Sequence, residues 1–394
     1  MRLLLITNRY PADADDPASP FVPHFVTALQ QCGVAVDVLT PRYHEDELGL
    51  EPGFIYRFES GSSIPIGSWN LASPGNWLRL WRFLSQGCKM GETLCRRHRY
   101  DHILALWALP SGRFARRLSR QFGIPYSVWC LGSDIYSWAK RPVIRGQIAR
   151  VLTGATCVFG DGEDLCRRVE KWLKIECHFL PSFRPLAGVT VDGPPLATSA
   201  PRYLYLGRLH RAKGVFELLA AFARVRRVLP DATLRLVGDG PDAAELHQRV
   251  ERLDLMDAVR FSGVVASDGI VTELQHADFV VIPTKSDSLP LVFSEAVQAC
   301  RPVIGTDVGD LGAFIREYRV GLVAPSTDVV DLSTAMLAMA YEPSFDLQGR
   351  TALLARLDPR RAAETFRTLA LGAKPTRRES PPVPADIMLS VLSS

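Results

Sequence analysis

Twice along this chain, short apolar and β-branched runs alternate with longer stretches of helical spacing, and the alternation lapses once, into Pro, Gly, Thr and Ser between Pro181 and Pro201. A strand buried on both faces reads as an unbroken apolar run, and strand–helix–strand order builds a parallel sheet. The pattern predicts two doubly wound α/β domains. In the first, strands are expected at Leu3–Thr7, Val34–Leu39, Phe54–Phe58, His102–Leu106, Tyr126–Cys130 and Thr156–Phe159. In the second they are expected at Tyr203–Leu206, Thr233–Val237, Val259–Phe261, Phe279–Ile282, Val303–Gly305 and Gly321–Val323. The corresponding limits are residues 1–183 for the first domain, 184–201 for a linker, 202–373 for the second domain and 374–394 for a charged, Pro-rich, flexible tail. Ligands of such sheets bind at the carboxyl ends of the strands, so the loops that follow strands are where chemistry is sought.

The length agrees with this division. A chain of 394 residues exceeds one ordinary core, and two domains of this size can each bury about 70% of their unfolded surface. Apolar residues make up 47%, a globular proportion, yet no run approaches the roughly 20 apolar residues of a membrane-spanning helix. Met1 to Thr7 is too short for a secretory signal and leads straight into a polar loop, so it is read as the first strand. The eight cysteines are scattered and form no C-x-x-C pair, which argues against zinc and a disulfide framework and for a reducing, cytoplasmic setting. A net charge of +4 does not require nucleic acid as a partner.

The run Phe279–Ile282 is stopped by Pro283, a polar loop follows, and Pro290 suits the start of a helix because its fixed φ and missing N–H cost nothing there. The first free amides, at Leu291 and Val292, would point over the carboxyl end of the strand, where the helix dipole favours an anion. Asp287 lies before this point and Glu295 after it, with seven residues between them, so two carboxylates flank a phosphate-sized space. Taken alone, such a pair is most often two solvated surface charges.

Other strings give it context. Leu206 to Gly214 (LGRLHRAKG) opens the second domain's first loop: Gly207 permits a close turn, and Arg208 and Lys213 set two cations where a diphosphate would lie. Val237-Gly238-Asp239-Gly240-Pro241 ends the next strand. In the first domain, Leu131-Gly132-Ser133-Asp134-Ile135 follows the strand ending at Cys130, and on spacing alone a capping Ser-Asp turn is an equal reading. The Pro- and Asp-rich loop from Asn8 to Phe21 reads either as a solvated loop or as an acceptor lid. Trp77, Leu80, Trp81, Leu84 and Cys88 recur at helical spacing, which reads as a core-facing helix; a sharper reading adds Trp69 and Arg96-Arg97-His98-Arg99 and proposes peripheral contact with anionic lipid.

Together with Ala296, Pro302-Val303-Ile304 and Thr306-Asp307-Val308-Gly309, these strings resemble the signature of the retaining glycosyltransferases of family 4. Their GT-B fold sets two Rossmann-like domains across a cleft. The resemblance is close from Gly207 to Gly309 and loose before it. It implies transfer of a sugar from a UDP- or GDP-sugar to a hydroxyl of a saccharide or lipid-linked acceptor, in glycan, glycolipid or polysaccharide synthesis. By the same resemblance, Asp287 would contact the donor sugar, the amides of Leu291 and Val292 the distal phosphate, and Glu295 the ribose. Arg208 and Lys213 would stabilise the leaving diphosphate, Gly132, Gly207, Gly238 and Gly240 would let the donor lie close, and Asp134 would face the sugar and acceptor. No metal or other cofactor is expected, because the cations and helix amides take that role. The departures are specific: Leu131 stands where the family has His, Asp287 where it has Glu, Cys300 where it has Gly, Asp310 where Gly often follows Gly309, and the loop after the first strand has no Gly-Gly. They leave open a nucleotide-sugar-binding partner without turnover and a sugar-nucleotide epimerase on the same fold. A phosphorylase-like enzyme would need a lysine-bound pyridoxal phosphate.

Overall fold

The computed structural model describes residues 1–12, 16, 19–43, 53–62, 74–189 and 193–372, apart from the side chains of 74–77. The first sheet holds β1 (Arg2–Ile6), β2 (Ala35–Arg42), β3 (Ile55–Glu59), β4 (His102–Leu106), β5 (Tyr126–Cys130), β6 (Cys157–Gly160) and β7 (His178–Phe179), in the order β3-β2-β1-β4-β5-β6-β7. Helices α1 (Phe21–Gln31), α2 (Pro74–Arg97), α3 (Ser111–Phe122), α4 (Ser133–Tyr136), α5 (Pro142–Leu152) and α6 (Glu163–Leu173) join them. The second sheet holds β8 (Arg202–Leu206), β9 (Thr233–Val237), β10 (Val259–Gly263), β11 (Phe279–Ile282), β12 (Val303–Thr306) and β13 (Gly321–Ala324), in the order β10-β9-β8-β11-β12-β13. Its helices are α7 (Val215–Val228), α8 (Ala243–Arg252), α9 (Ser267–His276), α10 (Leu291–Gln298), α11 (Leu311–Tyr318), α12 (Val329–Tyr341) and α13 (Leu347–Leu357), and α14 (Pro359–Leu371) ends the described chain. Every strand pair in both sheets is parallel.

Each sheet is covered on both faces, which is why its strands read as continuous apolar runs. All twelve expected strands are present with ends moved by a few residues, and β7, only two residues long, is an addition. The strand order reverses between β1 and β4 and again between β8 and β11, so the loops after these strands splay apart and leave a crevice. Among the described residues no helix is long and apolar enough to cross a membrane.

Two expectations are corrected. The limit 202–373 assigned α14 to the second domain, yet Ala362, Ala363 and Phe366 are buried in the first domain's core beside Phe25, Trp129 and Phe159. Helical spacing shows that α14 has an apolar face but not which sheet the face meets. On α2, Leu84 and Cys88 of the expected stripe pack against the core, but Trp81 is 65% exposed, and the fully buried positions are Phe83 and Leu94. The glycines of that helix set this rotation: a Cβ at Gly87 would lie 2.8 Å from the Phe114 ring of α3. Trp69, the side chain of Trp77 and residues 13–15 and 17–18 of the expected lid lie outside the described residues. At the end of α10, Cys300 takes a left-handed φ of +52°, where Gly would be unstrained and Cys costs about 1–2 kcal/mol. The turn is still closed, with the Arg301 N–H donating to the Ala296 carbonyl at 2.9 Å.

His102 on β4 is buried, with Nε2 2.8 Å from Ser127 Oγ and its ring edge-on to Phe366 of α14. Burial lowers its pKa from 6.5 to about 4. Between those values the unfolded chain binds a proton that the folded chain does not, so stability falls as the pH drops, by about 3 kcal/mol at the lower end. Urea midpoints measured from pH 7 to about 4.5 should fall less steeply for His102→Gln than for the wild type. Parallel slopes would remove His102 as the cause.

Candidate functional site

The two crevices face each other, and between them lies a cavity of about 550 Å³. From the first domain it is lined by Pro20, Phe21, Trp107, Leu131 and Asp161, which follow β1, β4, β5 and β6. From the second it is lined by residues of the loops after β8, β9 and β11 and by the start of α10.

One end of the cavity is built to meet an anion. Helix α10 begins at Leu291, and Pro290, extended at φ −61° and ψ 134°, precedes it without offering a side-chain cap. Phe293 N–H donates to the Pro290 carbonyl at 3.0 Å, while Leu291 and Val292, ahead of the first intrahelical bond, line the cavity. Arg208 lines it too, and its exposed guanidinium has no acidic partner among the described residues. Lys213 also faces the cavity, paired with the Asp287 carboxylate.

The glycines of this end work by backbone contact. Gly238 has φ +129°, and a Cβ there would lie 2.0 Å from the Gly207 carbonyl oxygen; one at Gly240 would lie 2.2 Å from that of Leu209. Leu209 N–H donates to Asp239 O at 2.9 Å, and Gly207 N–H to Val237 O at 3.0 Å. The Gly-Asp-Gly turn therefore clamps the loop that carries Arg208. Gly207 and Gly238 line the cavity, whereas Gly240 stands behind them.

Glu295 reaches the cavity wall but is not a free carboxylate. It accepts from Arg184 at 2.6 Å, with the two residues only 5% and 4% exposed. Burial raises the Glu295 pKa, and the guanidinium opposes that rise. Arg184 belongs to the Pro-rich stretch after the first domain, whose composition gave no hint of a buried cation. Gln298 fixes the same segment, accepting from Leu186 N–H at 2.9 Å and donating to the Arg184 carbonyl at 3.0 Å.

In the first domain, Gly132 and Asp134 are not brought to the cavity. Asp134 is fully buried and accepts from the backbone of Ala108 at 3.0 Å and of Ile135 at 3.2 Å, so it ties the β4 and β5 loops together. Gly132, at φ +91°, faces Ser288 of the other domain, 3.6 Å from where its Cβ would stand. Among the described residues of the first domain, the carboxyl that lines the cavity is Asp161, 7% exposed, and its Oδ1 has no hydrogen-bond partner among them. Burial, then the charges of Asp134, Asp287 and Asp310, push its pKa well above the usual carboxylate range and favour its protonated form. In Phe159-Gly160-Asp161-Gly162-Glu163 it reads as a turn residue; its place at the end of a parallel strand was the available signal.

Next to Asp161 the domains touch. Helix α6 starts after Gly162, which has no side chain to cap it, and the buried carboxylate of Asp310 accepts from Asp164 N–H at 2.9 and 3.1 Å. A Cβ on Gly162 would come within 2.2 Å of Ser288 Oγ and 2.4 Å of Asp310 Oδ2. Arg356 adds a pair with Glu163.

Comparison with known proteins gives two family matches: glycosyl transferases group 1 over residues 200–341, and the glycosyl transferase 4-like domain over residues 18–176. The chain is 30% identical over 162 residues to glycogen synthase of Mycobacterium tuberculosis, covering 40% of this chain and 39% of that protein, so it spans about two-fifths of that relative. It is 27% identical over 357 residues to the putative teichuronic acid biosynthesis glycosyltransferase TuaC of Bacillus subtilis, covering 83% of this chain and 86% of the relative. Sucrose-phosphate synthase from Thermosynechococcus elongatus superposes with TM-score 0.78 at 22% identity, over 94% of this chain and 100% of that one. Anabaena HepE in complex with UDP and glucose superposes with TM-score 0.67 at 15% identity, over 95% and 100%.

Removing one member of the Arg184–Glu295 pair leaves a buried charge uncompensated, so Arg184→Met should destabilise by about 3–5 kcal/mol in chemical denaturation. The double variant Arg184→Met/Glu295→Leu should recover most of that loss. A single-variant cost below about 1 kcal/mol would mean the pair is solvated.

Proposed function

Because the chain belongs to the group 1 glycosyltransferases of GT-B fold, we propose that it moves a sugar from a UDP- or GDP-sugar to a hydroxyl of a saccharide or lipid-linked acceptor, with retention at the anomeric carbon. The observation that carries the donor reading is the anion end of the cavity: an unpaired Arg208 beside the open amides of Leu291 and Val292. The fold likeness to HepE, which was solved with UDP and glucose, supports the same ligand class. In the reaction the acceptor oxygen bonds to the anomeric carbon as the carbon–oxygen bond to the diphosphate breaks, and the acceptor proton leaves with the diphosphate. Negative charge grows on that diphosphate, and fixed donors there lower the barrier without reorganising. Arg208 forks its oxygens, the α10 amides hold the distal phosphate, and Lys213 adds a point charge once the ligand competes for its bond to Asp287. Chain groups thus perform the charge neutralisation that a metal would otherwise supply.

The acidic groups read the neutral parts of the donor. Asp287 accepts from sugar hydroxyls, and its pairing with Lys213 couples sugar recognition to phosphate contact. Glu295 accepts from the ribose while Arg184 holds it in place. Asp161, in its protonated form, donates to an oxygen of the sugar or acceptor.

Transfer is tested by mass spectrometry of donor consumption over a panel of UDP- and GDP-sugars with saccharide and lipid-linked acceptors. Arg208→Ala should lower turnover about 10²-fold with an unchanged melting temperature, and near-normal transfer would misplace the diphosphate. Asp287→Asn should flatten the preference among sugars while nucleoside diphosphate affinity holds; identical preference profiles would dismiss the sugar contact.

Asp161 separates by isostere. Asn copies the donor and acceptor of a protonated acid, so Asp161→Asn should keep most activity while Asp161→Leu loses about tenfold or more. Wild-type rate should decline as pH rises through the raised pKa of Asp161, and the Asn variant should lack that limb. Matching pH profiles would reduce Asp161 to a packing residue.

A further inference from the structure

Among the described residues a second concavity is larger than the interdomain cavity. A groove of about 950 Å³ runs over the outer face of the first domain between α2, α3 and α5. Its lining includes Lys89, Arg113, Arg116, Arg117, Arg120 and Arg150, against a single acid, Glu92. Glu92 is engaged with Arg117 at 3.0 Å, and Arg113 bonds only the neutral Gln147 at 3.2 Å. The other four cations have no carboxylate partner among the described residues.

This charge is not a by-product of folding. Helix α3 buries Phe114, Ala115 and Leu118, and its opposite face sets Arg113 over Arg117 and Arg116 over Arg120. Such i,i+4 pairs of like charge are unfavourable in a helix, so the fold is held despite them. The facing wall, on α2, adds apolar and aromatic surface, Leu84 and the exposed Trp81, next to Ser85, Lys89 and Glu92. One loop contributes to both concavities: Leu109 lines the groove and Trp107, two residues earlier on the loop after β4, lines the interdomain cavity.

We propose that this groove is an acceptor subsite for an acidic saccharide, with the arginines holding carboxylate or phosphate groups along the chain and Trp81 stacking against a sugar ring. Guanidinium groups match such anions by paired hydrogen bonds, and an indole offers a flat apolar face with a polar edge. The assignment of an acceptor rests on the glycosyltransferase reading; the anion site itself does not. An acidic glycan fits the groove's excess of positive charge, and the groove shares one loop with the interdomain cavity.

The test uses the full chain and binding, not turnover. Fluorescently labelled tetragalacturonate, neutral maltotetraose and phosphatidylglycerol vesicles are titrated against wild type, Trp81→Ala and Arg116→Gln/Arg120→Gln/Arg150→Gln, with UDP and GDP binding followed separately. The uronate should bind wild type with steep salt dependence, lose about tenfold or more in affinity in the triple variant, and exceed the neutral tetraose by a similar factor. Trp81→Ala, an exposed change that leaves the core intact, should weaken it as well, and nucleotide affinity should stay constant throughout. Equal uronate binding by wild type and the triple variant, or none by wild type, would overturn the subsite. Vesicle binding lost in the triple variant without any uronate binding would make the face a lipid surface and overturn it too. Wild type that binds uronate but neither nucleotide would keep the anion site and count against the glycosyltransferase reading.

Discussion

A guanidinium and a carboxylate buried together at the cavity wall, Arg184 with Glu295, fix the relation between the connection of the domains and the helix that faces the ligand. A buried pair adds little net stability, because desolvating two charges offsets most of their attraction. What it supplies here is position. Arg184 lies where the chain leaves the first domain, and Glu295 lies on α10, so the connection is docked along the helix whose open amides line the cavity. Gln298, one turn further along α10, repeats the tie through two backbone bonds.

The chain crosses the seam a second time with nothing to spare. Leu357 ends α13 inside the second domain's core, Asp358 caps α14 by accepting from Arg360 N–H, and Ala362 already lies in the first domain's core. A third tie is made through space by Asp310, whose carboxylate caps α6 across the seam. Gly162 and Asp310 explain each other at this point: Gly162 leaves the helix start without a cap and leaves room, and Asp310 fills both. Opening the domains would strip a buried carboxylate of its backbone donors and leave the first amides of α6 unpaired.

The strands were legible because parallel strands covered on both faces leave little but apolar residues, and the anion end was legible because its parts are consecutive: a strand, a stop, a helix start. Asp287 and Glu295 reach the cavity for that reason, and Arg208 and Lys213 because their loop follows β8 in the same way. What could not be read depends on partners distant in sequence. Asp134 looks like a sugar ligand until the Ala108 amide takes its oxygen. Asp161 looks like a turn until the second domain covers it. The apolar face of α14 fits either sheet by pattern, and Trp81 belongs to a helical stripe whose rotation is set by Gly87 against Phe114.

These placements give the cavity a polarity. At one end stand Arg208 and the α10 amides; toward the seam stands Asp161, with Asp310 and Asp134 behind it, and Asp287 lines the cavity paired with Lys213. Burial first, and then this crowding of acids, raises the pKa of Asp161 and opposes further negative charge there. A ligand with an anionic diphosphate and a neutral, hydroxyl-bearing sugar has one favourable orientation in such a field, phosphates toward the cation and hydroxyls toward the acids. The reverse would set phosphate oxygens against carboxylates in a partly desolvated space, where like charges repel most strongly. For the proposed donor, orientation would therefore be set by the distribution of charge before any hydrogen bond to a particular sugar is made. On the proposed donor reading, the shorter side chain of Asp287 would act on which sugar is preferred, while the direction of binding would be held by the charges around it.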